Sequence, residues 1–97
     1  MNIRSESLDR LMDAVLSLEN REECYRFFED LCTVKEMQDM GQRLDAAVLL
    51  YNGVSYQKIA EQVNISSATI SRVNRCLNYG EGGYRTAIEK MGKGENK

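Results

Sequence analysis

The chain has 97 residues and a formal net charge of -2; 42% of it is hydrophobic and 29% charged, and it contains neither Pro nor His, which fits one small domain. The missing His removes the commonest general base, the carboxylates form no evident pair, and Cys24, Cys32 and Cys76 lack metal-ligand spacing, so neither an enzyme nor a zinc protein is indicated. No apolar run approaches the ~20 residues of a membrane span and the start MNIRSESLDR is not a signal peptide, so a soluble, cytoplasmic protein with buried or half-buried free thiols is expected.

The absence of Pro, the scarcity of Gly before Gly41 and the long amphipathic runs predict an all-α protein. A first helix starts near Ser5 or Ser7 and runs to about Leu18, with Leu8, Leu11, Val15 and Leu18 in one stripe that Met12 and Leu16 widen. This is too much apolar surface for a helix standing alone. Asn20 and Glu23 then form a capping-box pattern that opens a second helix, with Phe27, Phe28 and Leu31 inward and its acidic residues outward.

Thr33 with Glu36 repeats the capping box, and Cys32 with Met37 has staple spacing. The third helix carries Met37, Met40, Leu44, Ala47 or Val48, and Tyr51 at steps of three and four, and Asn52-Gly53 ends it. At about nineteen residues it would be ~28 Å long, the longest element and the scaffold for the helices after it. Gly41 inside it costs about 1 kcal/mol relative to Ala, which suggests a close helix contact or a small-ligand approach unless the glycine is merely tolerated.

The next stretch, YQKIAEQVNISSATISRVNR, predicts a helix-turn-helix. Ser55 and Ser66 stand at N-cap positions, and the pairs Val54/Ile59 and Ile65/Ile70 have staple spacing, so two helices rather than one are expected. Ala60 is small where the helices would cross, and Asn64 sits where the turn would go left-handed. On the second of the two, Ile70, Val73 and Leu77 face inward, Ala68, Arg72, Arg75 and Tyr79 face away, and Ser67, Ser71 and Asn74 occupy one flank.

That outer face is slim, basic and nearly free of carboxylates, which suits the DNA major groove. Charge is distributed accordingly: residues 1–39 hold five Lys/Arg and ten Asp/Glu, whereas residues 40–79 hold four and two. Beyond Leu77 the residues 78–83 form a flexible break, Tyr84, Ala87, Ile88 and Met91 a short terminal helix, and residues 92–97 a flexible tail. The domain layout is therefore one helical domain over 1–91, with scaffold and dimerisation helices over 1–53, the reading unit over 55–79 and the terminal helix over 82–91. The many large apolar residues suit burial against a second copy of the chain.

The T-x-x-E helix start at Thr33, Gly41-x-Arg43, Asn52-Gly53 and A-T-I-S-R over 68–72 resemble the Trp repressor superfamily, and more narrowly its YerC/YecD type. The resemblance implies a six-helix all-α fold and an intertwined homodimer with two reading heads in successive major grooves of a near-palindromic operator. It also implies a ligand site in which Arg43 and Arg72 would sandwich an indole, with Thr33 and Cys76 nearby. Val73 and Cys76 depart from the family pattern, where Gly and Ser stand, and both departures count against tryptophan; no cofactor is required.

The expected function is sequence-specific DNA binding by a homodimeric transcriptional regulator, most simply a repressor. Ser66 and Ser67 would hold phosphate, and Ala68, Thr69, Ser71 and Arg72 would meet bases. Arg75 would anchor the backbone together with Gln57 and Lys58. Two alternatives stay open: a helical dimerisation or adaptor module that does not read DNA, favoured by the acidic front half, and a repressor responsive to tryptophan or a similar small effector.

Overall fold

A computed structural model describes residues 2–95. It contains six helices and no strand among those residues: α1 (Glu6–Leu16), α2 (Arg21–Leu31), α3 (Val34–Tyr51), α4 (Tyr56–Gln62), α5 (Ser67–Tyr79) and α6 (Gly83–Glu95). The chain divides into two compact units, Met1–Met37 and Gln38–Lys97, with the division falling inside α3.

In the first unit the helix starts are set by local chemistry. Ser5 caps α1 by accepting from the Leu8 N–H at 3.1 Å, and Asn20 caps α2 by accepting from the Glu23 N–H at 2.9 Å. The Glu23 carboxylate reaches back to the N–H of Glu19 at 3.0 Å, one residue earlier than in a standard capping box. Thr33 and Glu36 close a reciprocal box in front of α3, with bonds of 2.9 and 3.1 Å.

Packing in this unit is thin. The rings of Phe27 and Phe28 meet edge-on at 5.5 Å, but no described residue of the unit is fully buried, and Leu31, expected inward, is exposed. Leu8, Leu11, Val15 and Leu18 of the α1 stripe are half-buried, whereas Leu16 and Met12, which widen it, are 80% and 52% exposed.

The second unit holds the core. Ala46, Ala47, Ile59, Val63, Ile70, Val73, Leu77 and Ile88 are buried, with Leu44, Val48, Leu49, Leu50, Val54, Ile65 and Tyr84 packed against them. Two of the three expected staple pairs, Val54/Ile59 and Ile65/Ile70, therefore lie in or against this cluster, and Cys32 and Met37 do not. α3 ends in a Schellman turn: Gly53 takes φ 82°, its N–H bonds to the Leu50 carbonyl, and the Val54 N–H bonds to that of Leu49.

The structure corrects several expectations. A Cβ on Gly41 would meet nothing within 4 Å, so no close helix contact within the second unit accounts for this glycine. Ala60 is exposed, and the small buried residues are instead Ala46 and Ala47 on α3. No described residue other than glycine has positive φ, so Asn64 is not left-handed; the Ile65 N–H bonds to the Val63 carbonyl at 2.8 Å, closing a three-residue turn around it.

Cys24 and Cys32 are half-buried, but Cys76, expected to be covered, is exposed. α5 continues to Tyr79, two residues into the expected break. α6 continues to Glu95, past the Gly92 where the sequence places the start of the tail; Asn96 and Lys97 lie outside the described residues.

Candidate nucleic-acid interface

α5 starts where Ser66, held in extended backbone, accepts from the Thr69 N–H at 3.1 Å. The Ser66 and Thr69 hydroxyls also lie 3.0 Å apart, so both are engaged in the cap. That fixes the pitch of the first turn and leaves Ser67, which is exposed, as its outward hydroxyl.

From the cap onward the helix presents two opposite faces. Ile70, Val73 and Leu77 are 0%, 2% and 5% exposed and belong to the core, whereas Ala68, Ser71, Arg72 and Arg75 are all exposed. Ala68, Thr69, Ser71, Arg72 and Arg75 line one shallow surface depression of about 390 Å³. Five of the residues singled out for DNA contact are thus brought together; Gln57 and Lys58 are exposed on the preceding helix, and Ser66 and Ser67 at the start of α5.

The electrostatics of this face are simple. α5 contains no carboxylate, α4 contains Glu61 alone, and the two guanidinium groups at Arg72 and Arg75 lie one helical step of three apart. A surface with slim residues at its leading turn and two arginines behind can offer hydrogen bonds and positive charge to a grooved polyanion.

The residues expected around a small ligand fall on α5, on α3 and in front of α3. Arg72 and Cys76 are exposed one turn apart on α5, and Arg43 is half-buried on α3. Thr33 belongs to the first unit, where its hydroxyl accepts from the Glu36 N–H at 3.1 Å. The depression on α5 includes Arg72 but not Arg43 or Cys76.

At the far end of α5 lies an arrangement that motif reading misses. The last turn of the helix carries no basic residue, and Arg85 of α6 takes that place. Its Nε donates to the Leu77 carbonyl and its Nη2 to Asn78 Oδ1, each at 3.1 Å. Asn78 in turn donates from its amide to the Asn74 carbonyl and to Asn74 Oδ1.

The Arg85 guanidinium also lies over the ring of Tyr51, whose hydroxyl donates to Glu89 at 2.9 Å. That hydrogen bond, with help from burial and the nearby Glu89 charge, raises the Tyr51 pKa above 10.0, against a smaller lowering by Arg85. The turn between α5 and α6 depends on Gly80, where a Cβ would collide with the Cys76 carbonyl oxygen. The one signal in the sequence is negative: a helix end with no cation of its own.

Comparison with known proteins places this geometry. A family described as Trp repressor protein matches residues 6–92. The uncharacterised protein YerC of Bacillus subtilis is 47% identical over 95 residues, which cover 98% of this chain and 91% of that protein. Among solved structures, a TrpR-like protein from Eubacterium eligens superposes with a TM-score of 0.89 at 43% identity, covering 93% of each chain. A candidate Trp repressor from Staphylococcus aureus gives 0.88 at 48% identity, covering 92% of this chain and 89% of that one.

Proposed function

The chain belongs to the Trp repressor protein family, a family of regulators and not of enzymes, and from that membership we propose that it is a homodimeric, sequence-specific DNA-binding transcriptional regulator, most simply a repressor. α4, the turn at Asn64 and α5 act as the helix-turn-helix, and α5 is the element that enters the major groove. Residues 1–53 serve as scaffold and dimerisation helices, residues 55–79 read, and residues 82–91 close the domain. Among the described residues no helix is long and apolar enough to cross a membrane.

The observation that carries this reading is the division of α5 into a packed face and an exposed one. Ala68, Thr69, Ser71 and Arg72 would meet base edges, the slim residues by van der Waals contact and hydroxyl bonds, and Arg72 by a guanine edge. Arg75, Gln57 and Lys58 would hold phosphates, as would Ser67 and the first-turn N–H groups behind the Ser66 cap.

With Arg75 and Lys58 as the cations assigned to phosphate, a reading head neutralises few phosphates, so a single head would bind weakly at physiological salt. A second copy supplies the remainder, and its presence is supported by the apolar side chains that the first unit leaves open: Ile3 is 69% exposed, Leu16 80% and Tyr25 54%. The dimer would cover these and set two reading helices about one DNA turn apart.

Selection from a random duplex pool at low salt tests the function. A regulator of this kind enriches a near-palindromic consensus. An adaptor that keeps the helical hairpin for protein contacts, the reading that the acidic first unit favours, would enrich none.

A further inference from the structure

We propose that Arg85 is a positioning residue for the reading helix: it fastens the carboxyl-terminal end of α5 to α6 and α3, and so sets the angle at which Ala68, Ser71 and Arg72 meet DNA, without touching DNA itself. The inference rests on the DNA-reading assignment of α5 and adds to it the part that holds α5 in place. Three independent contacts converge on one guanidinium. Nε satisfies the Leu77 carbonyl, Nη2 satisfies Asn78 Oδ1, and Cζ lies over the Tyr51 ring, 5.6 Å from its centroid.

Helix ends leave their last carbonyls without intrahelical partners and carry partial negative charge. α5 has no Lys, Arg or His in its last turn to meet that need, so the cation comes from α6. Because Arg85 lies over the ring of Tyr51 at the end of α3, and Tyr51 is tied to Glu89 one turn along α6, the same junction joins three helices of the second unit. Leu77 and Ile88, buried beside it at 5% and 7% exposure, make the apolar half of the attachment.

A reading helix needs this. Base contacts demand placement within a fraction of an ångström, whereas phosphate contacts tolerate a swing. The amino-terminal end of α5 is defined by the Ser66 cap and by Ile65 and Ile70, and Arg85 supplies the polar restraint at the opposite end. Loosening it allows α5 to pivot, which costs sequence recognition while leaving non-specific attraction intact.

The test uses the full chain with Arg85→Gln and, as a milder change, Asn78→Ala. Both are compared with wild type on the duplex that wild type enriches from a random pool and on a scrambled duplex of the same composition, across a salt series, with amide hydrogen exchange followed in parallel. The expected result for Arg85→Gln is about tenfold weaker binding to the enriched duplex, little change on the scrambled one and an unchanged salt slope. Exchange should quicken at the Gly80 amide, which bonds to the Cys76 carbonyl at 2.9 Å, with the α3 amides before Leu44 unaffected. Asn78→Ala should move the same quantities the same way by less.

A salt slope smaller by about one, with equal losses on both duplexes, would make Arg85 a phosphate contact and overturn the proposal. Unchanged exchange at Gly80 with unchanged recognition would overturn it too, while leaving the DNA reading intact. Failure of the wild type to enrich any duplex would instead remove the reading on which the proposal rests, and the proposal with it.

Discussion

Tyr51 and Glu89, at the ends of a chain segment that passes through α4 and the whole of α5, are joined by a hydrogen bond of 2.9 Å from the tyrosine hydroxyl to the carboxylate. The bond exists only while the phenol keeps its proton, and for that reason the Tyr51 pKa is raised above 10.0. A group whose folded pKa is raised contributes its full stability below its unfolded value and loses it as pH climbs through the folded one. This attachment of α3 to α6 should therefore be constant through neutral pH and fail only above pH 10.0. Alkaline titration of wild type against Tyr51→Phe, followed by phenolate absorbance, should give a difference transition above that value; one below it would contradict the assignment.

The cap and the core of the reading unit should separate by magnitude. Ser66→Ala removes the oxygen that accepts from the Thr69 N–H and should cost about 1 kcal/mol. Ile70→Ala truncates a side chain with 0% exposure and should cost about 2 to 5 kcal/mol. Urea denaturation measures both; equal losses would mean that Ile70 is not in the core of the folded protein.

Much of this fold is legible in the sequence because it is written locally. Ser5, Asn20, Thr33, Ser55 and Ser66 each cap a helix that begins at the next residue, and a cap needs only its own neighbours. The two faces of α5 arise from a period of 3.6 in the same way. What the sequence hides is whatever depends on a partner far along the chain. A helical pattern shows that Ala60 and Ala47 could each sit at a crossing; only the packing decides that Ala47 is buried and Ala60 exposed. Arg85 reads as one more surface cation until Tyr51, Leu77 and Asn78 are brought around it. Asn64 suits a left-handed turn because Asn tolerates one, yet a turn closed by Val63 and Ile65 at negative φ serves as well.

Dimerisation can be read from a residue with no contact to DNA. Leu16 is 80% exposed in the single chain, so in a monomer Leu16→Ala should change stability by less than about 0.5 kcal/mol. In a homodimer that shares this surface, the substitution should cost more than about 2 kcal/mol and make the thermal midpoint depend on protein concentration. Thermal scans of both proteins over a wide concentration range, with sedimentation velocity, give the answer. A midpoint independent of concentration, with a monomeric particle, would contradict the dimer.

Tryptophan is not expected to act as an effector. Val73 is 2% exposed and its side chain belongs to the core, and Cys76 offers an exposed thiol where an ammonium group would need an oxygen acceptor. Isothermal calorimetry with tryptophan should show no saturable heat, and the affinity for an enriched duplex should not change when the amino acid is added. Saturable heat together with tighter DNA binding would contradict this and favour a tryptophan-responsive repressor.

Base reading by the exposed row of α5 is tested most directly by a gel-shift comparison of wild type with Arg72→Ala and Arg75→Ala on the enriched duplex and on its scrambled counterpart. Arg72→Ala should lose about 1 to 3 kcal/mol on the enriched duplex and almost nothing on the scrambled one, while Arg75→Ala should weaken both and reduce the salt slope by about one. Equal losses for Arg72→Ala on both duplexes, or no loss on either, would contradict recognition by this face of α5.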